Sequence, residues 1–145
     1  MTDRLKNKVA LITGAGTRGE ITGIGQASSI LMAREGAKIL INDINADRAK
    51  STLSQIENEG GEGLVIAEDC TKEEGCKSIV KRCIEQFAKI DILFNNVGTF
   101  GRGMLTEVEE ENWQKAIDSN LKSAVMMSKY VVPVMSESGG GSIIN

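Results

Sequence analysis

Residues 9–26 read VALITGAGTRGEITGIGQ, an apolar run followed by five glycines. Gly14, Gly16 and Gly19 spell a literal G-x-G-x-x-G, the pattern of a strand, a tight turn and a helix that receives a dinucleotide's pyrophosphate. A helix that began at Gly16 would carry the remaining glycines in its interior, where each costs about 1 kcal/mol relative to alanine. The literal pattern is therefore a poor description of this turn.

A second assignment takes Gly14 as the first glycine and Gly23 and Gly25 as the last two, with residues 17–22 inserted between them. Gly14 then turns the backbone out of the strand, Gly23 lets it approach the pyrophosphate, and Gly25 lets the helix pack closely on the sheet. Backbone N–H groups at the helix start would face the phosphates. This helix has an uninterrupted apolar face, formed by Ile24, Ala27, Ile30, Leu31 and Met32, and ends at Gly36.

Five short apolar runs alternate with helical patterns along the chain. The predicted strands are residues 9–13, 38–43, 63–69, 90–96 and 141–145. They are nearly continuous in apolar residues, as parallel strands covered by helices on both faces are. The alternation predicts an α/β fold, a Rossmann-type doubly wound parallel sheet that spans residues 1–145 as one domain.

Helix-start signals support this alternation. Asn45 is placed to cap the second helix. Capping-box spacing occurs twice more, in Thr71 with Glu74 and in Thr106 with Glu109. The last of these predicts a long helix that runs to about Met135, with Pro133 near its end as a stop or kink. Its predicted inward stripe consists of Trp113, Ile117, Leu121 and Val125.

Composition excludes several classes of protein. Hydrophobic residues make up 41% and charged residues 26% of the chain, as in soluble globular proteins. A net charge of −3 argues against a nucleic-acid binder, which needs a basic face. No apolar run approaches the roughly 20 residues of a membrane span, and residues 1–8 lack the apolar core of a signal peptide. We therefore expect a cytoplasmic protein that binds neither nucleic acid nor membranes.

Cysteine and histidine usage excludes further chemistries. The chain contains no histidine, which removes Ser-His-Asp and Cys-His catalysis. Cys70, Cys76 and Cys83 lack C-x-x-C spacing, so we expect no metal site. Cys76 and Cys83 fall on the apolar face of a predicted helix, and we expect both to be buried as small hydrophobic residues.

Asp43 ends the second predicted strand, eighteen residues after Gly25. Dinucleotide-binding units place a ribose-binding acid about 20 residues beyond the glycines. A carboxylate there accepts hydrogen bonds from both ribose hydroxyls and repels a 2′-phosphate, which favours NAD over NADP. Two alternatives remain open: Asp43 is only a turn residue before the next helix, and Arg18 in the insertion reaches an adenosine phosphate and weakens the preference.

These motifs resemble those of the short-chain dehydrogenase/reductase family along all 145 residues. The stretches that carry the resemblance are TGAG and GIG at the glycine turn, NDI with Asp43 and Ile44, EDCT with Asp69 and Cys70, NNVG at residues 95–98, and NWQKAIDSNLKS with Asn120. The resemblance implies an NAD-dependent oxidoreductase that transfers hydride between nicotinamide and a small alcohol or carbonyl substrate.

The resemblance also implies roles for individual residues. Asp69 would meet the adenine ring, with Cys70 beside it, and the stretch from Asn95 to Gly98 would run past the nicotinamide ribose. Asn120 would be the family's active-site asparagine, which supports a water molecule in a proton relay. The expected cofactor-binding set is Gly14, Gly23, Ile24, Asp43, Ile44, Asp69, Cys70, Asn95 and Gly98.

Helical periodicity gives Asn120 independent support, because it places this residue beside Leu121 and Ala124 on the predicted inward stripe. A buried amide without partners costs about 1–3 kcal/mol. A compatible alternative is a local helix distortion in which the backbone satisfies the Asn120 amide. For Asn95 and Asn96, pairing with neighbouring loops is the structural alternative.

The chain departs from the family pattern at three places. Gly14 and Gly23 are nine positions apart where four are usual, so five residues are extra. Val97 replaces the common alanine of NNAG. The family's catalytic Ser and Tyr-x-x-x-Lys have no match, because Val134 stands four residues after Tyr130, the single tyrosine.

Residues 1–145 are therefore expected to be the cofactor-binding part of such an enzyme, ending in the fifth strand before the catalytic segment and inactive alone. A non-catalytic nucleotide-binding or subunit-pairing module is the alternative. An open sheet edge would make this chain prone to aggregation. The apolar residues Met126, Met127, Tyr130 and Val131 suggest that the complete protein forms a homodimer or homotetramer.

Overall fold

The computed structural model describes residues 3–17, 19, 21–100 and 103–145 as alternating strands and helices. The elements in chain order are β1 (Val9–Thr13), α1 (Ile24–Arg34), β2 (Lys38–Asn42), α2 (Ala46–Asn58), β3 (Gly63–Ile66), α3 (Glu73–Phe87), β4 (Ile92–Phe94), α4 (Glu110–Ile117), a π-helical turn (Asp118–Lys122), α5 (Ser123–Glu137) and β5 (Ser142–Ile144). All five predicted strands are present, although each strand except β1 is shorter than predicted.

The five strands form one parallel sheet in the order β3-β2-β1-β4-β5. Leu11 in the central strand pairs with Leu40 on one side and Leu93 on the other. The winding reverses between β1 and β4, so their carboxyl ends flank the crevice where such sheets bind ligands. The predicted α/β doubly wound fold is confirmed.

Helices cover both faces of the sheet because β1 alternates its side chains between two cores. Ala10 and Ile12 pack with α1 and α2, whereas Val9 and Leu11 pack with α3 and α5. Cys76 and Cys83 are fully buried in the second core, as predicted. Burial raises the pKa of the Cys76 thiol to about 11 and that of Cys83 to about 12, so both thiols stay protonated near neutral pH.

Helix α1 begins at Ile24, with Gly23 as its N-cap, which confirms the helix start expected from the second glycine assignment. Its predicted inner face was partly wrong, since Ile24 is 72% and Leu31 is 56% exposed. The buried residues of α1 are Gly25, Gln26, Ser29, Ile30 and Ala33. Small residues on this face let the helix backbone approach the sheet more closely than branched side chains would allow.

Only one of the predicted caps forms. Asn45 Oδ1 accepts a hydrogen bond from the Arg48 N–H (3.0 Å) at the start of α2. The Thr71 hydroxyl instead donates to Asp69 Oδ1 (2.7 Å), and α3 has no side-chain cap. Helix α4 begins after Glu109, again without a side-chain cap, so both predicted capping boxes were wrong.

The predicted long helix is interrupted by the π-helical turn. A π turn adds a residue to the helical repeat and rotates the following helix relative to the 3.6-residue period. Leu121, within this turn, and Val125, after it, are each 56% exposed. Trp113, on α4 before the turn, is also 56% exposed, so the predicted inward stripe was wrong at all three positions. The buried residues of α5 are Ser123, Met127, Val131 and Met135. The surface suggested for subunit contact was therefore wrong at Met127 and Val131, which pack in the core.

Pro133 does not end the last helix, because α5 continues to Glu137.

Within the part of the chain that the structure describes, no helix is long and apolar enough to cross a membrane.

Candidate functional site

A cleft of about 1050 Å³ opens at the carboxyl ends of the parallel strands. The loops after β1, β2, β3 and β4 line it together with the start of α1. Eight of the ten predicted site residues lie in its lining, namely Gly14, Gly23, Ile24, Asp43, Ile44, Asp69, Cys70 and Gly98. Asn95 and Asn120 are outside the lining.

The glycine turn forms one wall of the cleft. Gly14 adopts φ +62°, the left-handed conformation that turns the chain away from β1. Gly23 leaves the start of α1 without a side-chain cap, and the first turn contains no acidic residue. The N–H groups of this first turn have no partners within the helix and carry the positive end of its dipole. This wall suits a phosphate group.

Asp43 connects the end of β2 with the glycine turn. Its Oδ2 accepts a hydrogen bond from the Gly16 N–H (3.0 Å), and its Oδ1 accepts one from the Asn45 N–H (2.9 Å). The second bond is the turn interaction anticipated as the structural alternative, yet Asp43 and the exposed Ile44 also line the cleft. Each carboxylate oxygen retains a second acceptor site, so the turn bonds leave Asp43 able to accept hydroxyl groups.

The loop after β3 forms the end of the cleft beyond Asp43. Asp69 Oδ1 accepts hydrogen bonds from the N–H (2.9 Å) and the hydroxyl of Thr71. Cys70 is 3% exposed, and burial is the main cause that raises its thiol pKa to about 12. Cys70 therefore contributes an unreactive apolar surface here.

The two asparagines after β4 face different neighbours. Asn95 Nδ2 donates to Asn145 Oδ1 (2.8 Å) and Ser128 Oγ (3.3 Å), which ties β4 to the end of the sheet and to α5. Asn96 Nδ2 donates to Gly14 O (2.9 Å), which ties β4 to the glycine turn. Asn96 pairs with a neighbouring loop, as the structural alternative expects, whereas Asn95 pairs with α5 and with the residue after β5. Of the two, Asn96 lines the cleft.

Asn120 lies in the π-helical turn and is exposed, which corrects the prediction that it is buried. Its Nδ2 donates to Ala116 O and Thr99 O, both at 2.8 Å. A Cβ added at Gly98 would lie 2.6 Å from Asn120 Oδ1, so Gly98 allows the asparagine to approach the loop after β4. The anticipated helix distortion is present, and Ser119 next to Asn120 lines the cleft.

Sequence reasoning missed several residues that line the cleft. Gly16 was set aside with the literal motif, yet a Cβ there would lie 2.7 Å from both Asp43 Oδ2 and Arg48 Cβ. Asn42 is 1% exposed, and its Oδ1 has no partner among the described atoms. An amide inside an otherwise apolar strand was a signal that could have identified Asn42. Arg18 lies outside the described residues.

The parallel sheet, the glycine turn and the cleft at the switch point define an α/β protein of the dinucleotide-binding type. A family model described as short chain dehydrogenase matches residues 8–145. The chain belongs to this family.

Similar proteins with known sequence or structure are oxidoreductases. An uncharacterized oxidoreductase of Thermotoga maritima is 40% identical over 140 residues, which cover 97% of this chain and 53% of that protein. A cyclohexanol dehydrogenase of Acinetobacter sp. is 34% identical and covers 100% of this chain and 56% of its own length. A 7α-hydroxysteroid dehydrogenase solved with NADH and 7-oxo glycochenodeoxycholic acid superposes with a TM-score of 0.89 at 34% identity, covering 98% of this chain and 53% of that chain. The chain thus spans about half the length of the relatives it matches.

Proposed function

We propose that residues 1–145 form the NAD(H)-binding part of an oxidoreductase that transfers hydride between nicotinamide and a small alcohol or carbonyl substrate. One observation carries this proposal: the uncapped start of α1 and the Asp43 carboxylate line the same cleft. The first suits a pyrophosphate and the second suits ribose hydroxyls. The similar hydroxysteroid dehydrogenase bound to NADH supports a nicotinamide cofactor.

In the proposed site, each loop binds a different part of the cofactor. Gly14, Gly23 and Ile24 hold the pyrophosphate, and Asp43 with Ile44 holds the adenosine ribose. Asp69 and Cys70 flank the adenine, while Asn95 and Gly98 order the loop beside the nicotinamide ribose. When bound, the nicotinamide supplies the hydride acceptor or donor. Asn120 fixes the π-helical turn, where the family resemblance expects a proton-relay water.

Charge in the cleft supports NAD over NADP. Asp43, Glu68 and Asp69 line the cleft, and none of the lining residues that the structure describes is lysine or arginine. A 2′-phosphate brings about two negative charges, which three nearby carboxylates would repel.

Replacing Asp43 tests this proposal. We expect Asp43→Ala to raise the NADH dissociation constant about tenfold, equivalent to about 1.4 kcal/mol, because the ribose hydroxyls lose their acceptor. The NADPH affinity should stay unchanged or increase. Fluorescence titration with both nucleotides measures the two affinities. Asp47→Ala, whose side chain is 93% exposed on α2, is the matched control. Unchanged NADH affinity would remove Asp43 from the site.

A second proposal is a non-catalytic nucleotide-binding role, which the position of Tyr130 favours. The Tyr130 hydroxyl donates to Glu73 Oε1 between α5 and α3, and Tyr130 is not part of the cleft lining. If the protein purified from its natural source has an intact mass of 15.6 kDa and binds NADH without NAD-linked oxidation of cyclohexanol or other secondary alcohols, this role is supported. Measuring turnover alongside intact mass separates the two proposals.

We also propose that the complete protein associates into oligomers and is located in the cytoplasm. Trp113, Leu121 and Val125 are exposed apolar residues on α4, the π-helical turn and α5, which suits subunit contact in a homodimer or homotetramer. Cys70, Cys76 and Cys83 are all free thiols, as is usual in the reducing cytoplasm.

A further inference from the structure

We propose that Ile21, in the segment inserted between Gly16 and Gly23, is an apolar cover over the adenosine diphosphate half of the bound cofactor. This inference rests on the proposed nucleotide site and adds a residue that slows cofactor release. The role concerns Ile21 alone within the inserted segment, because Ile21 itself lines the cleft.

Ile21 is exposed at the mouth of the cleft rather than packed in either core. It lines the cleft and is 85% exposed, and Ile24 and Ile44 in the same lining are each 72% exposed. Three branched apolar side chains thus line the same cleft as several glycines and carboxylates. Exposed apolar side chains beside a polar groove are typical of a ligand-binding site.

Gly16 and Gly23, the residues before and after the inserted segment, indicate that Ile21 covers the adenosine diphosphate half of the cofactor. Gly16, before the segment, donates its N–H to Asp43 Oδ2 (3.0 Å), the proposed ribose acceptor. Gly23, after the segment, is the N-cap of α1 at the proposed phosphate wall. Ile21 lines the same cleft and lies two residues before Gly23, which puts it beside the phosphate and ribose positions of the proposed site. Phe100 and Ser119 line the cleft from other elements, the loop after β4 and the π-helical turn.

Replacing Ile21 should leave the fold unchanged, because the side chain lies outside both hydrophobic cores. A ligand that covers the side chain removes part of its apolar surface from water, which strengthens binding. Affinity changes of this kind appear mainly in the dissociation rate. A loss of the cover should consequently shorten the residence time of the nucleotide.

The test compares Ile21→Ser with Leu31→Ser in binding of NADH and of ADP, which contains only the adenosine diphosphate half. Leu31 is 56% exposed on α1 and outside the cleft lining, so it is the matched control. We expect Ile21→Ser to weaken both nucleotides by a similar factor of about three to ten, the range for partly covering one isoleucine. Stopped-flow release should accelerate by the same factor. Leu31→Ser should match the wild type, and Ile21→Leu should retain affinity.

The outcomes separate this inference from the function on which it rests. If Ile21→Ser leaves both affinities unchanged, or weakens NADH but not ADP, the inference is overturned while the nucleotide site stands. If the wild-type protein binds neither NADH nor ADP, the proposed function fails and takes the inference with it. Equal melting temperatures for all variants ensure that binding, not unfolding, is compared.

Discussion

Gly23 and Gly25 are two residues apart, yet a side chain would meet different surroundings at the two positions. A Cβ at Gly23 would meet no heavy atom of the described residues within 4 Å, and its φ of −77° suits any residue. A Cβ at Gly25 would lie 2.5 Å from Asn96 Nδ2 and 2.6 Å from Gly14 O. Helix packing thus requires glycine at position 25, whereas at position 23 only an incoming ligand would require it.

Gly23→Val should therefore impair cofactor binding without unfolding the protein. The added branched side chain would occupy the space that the pyrophosphate needs, and we expect NADH affinity to fall about tenfold or more, a loss of at least about 1.4 kcal/mol. Calorimetric titration measures the affinity and a thermal melt verifies the fold. Gly25→Val, the comparison variant, should melt at a clearly lower temperature. Normal titration by Gly23→Val would reopen the assignment of the glycines.

At the scale of elements, Asp91 joins the beginnings of β1 and β4. Its Oδ2 accepts the Val9 N–H (2.8 Å), and Lys8 and Lys89 approach its carboxylate at 3.3 and 2.9 Å. Burial alone would raise the pKa of Asp91, but the hydrogen bonds from Lys89, Val9 and Lys8 outweigh it and leave the pKa below its ordinary value.

This depressed pKa predicts a pH-dependent contribution to stability. An acid with a lowered folded-state pKa stabilises the fold above its unfolded pKa of about 3.9, and the contribution disappears as pH falls through the folded value. Asp91→Asn should lower the free energy of unfolding by about 1–3 kcal/mol near neutral pH, as for hydrogen bonds to charged groups. The difference from wild type should shrink below about pH 4. Urea unfolding across this range measures it, and a constant difference would contradict the assignment.

The π-helical turn is a second element whose geometry depends on one side chain. Asn120 donates to carbonyls of α4 and of the loop after β4, so it joins two segments beside the cleft. Asn120→Asp removes both donors and places a negative charge beside two carbonyl oxygens. We expect a loss of about 1–2 kcal/mol in urea unfolding, because two hydrogen bonds are lost at an exposed site. Asn120→Gln, which keeps a longer amide, should lose less. Equal stabilities for all three proteins would show that the turn forms without the asparagine.

At the scale of the whole molecule, apolar surface remains uncovered at one edge of the sheet. Strand β5 pairs only with β4 in the described sheet, and Ile143 and Ile144 are 37% and 40% exposed. An open strand edge with apolar side chains promotes association between copies. The exposed apolar residues Trp113, Leu121 and Val125 add to this tendency.

We therefore expect the 145-residue chain, expressed alone, to self-associate as its concentration rises. Sedimentation velocity across a concentration series measures the association. Ile144→Lys should shift the series toward monomer, because an edge lysine opposes strand pairing. Val132→Lys, at a site 46% exposed on α5, controls for added charge alone. A monomeric species with one cooperative melt at every concentration would contradict the prediction.

The sequence determined the order of the elements, the parallel sheet and the start of α1, because each depends on local patterns. Continuous apolar runs indicated parallel strands, the cost of glycines inside a helix indicated that α1 begins near Gly23, and Asn45 identified the start of α2. Asp43 followed from its distance to the glycines, and its place in the cleft agrees with that count. These features depend on residues that are close together in the sequence.

Only the tertiary structure decided which side of each later helix is buried and where the asparagines point. The π-helical turn rotates α5 relative to α4, so Leu121 and Val125 lie outside and Met127 inside. Asn95 and Asn120 bond to segments far away in sequence, which periodicity cannot identify. The place of Gly16 against Asp43 likewise depends on a contact between two loops. These features have one physical reason in common. Which side of a helix is buried, and which loops touch, depends on packing between parts of the chain that are distant in sequence.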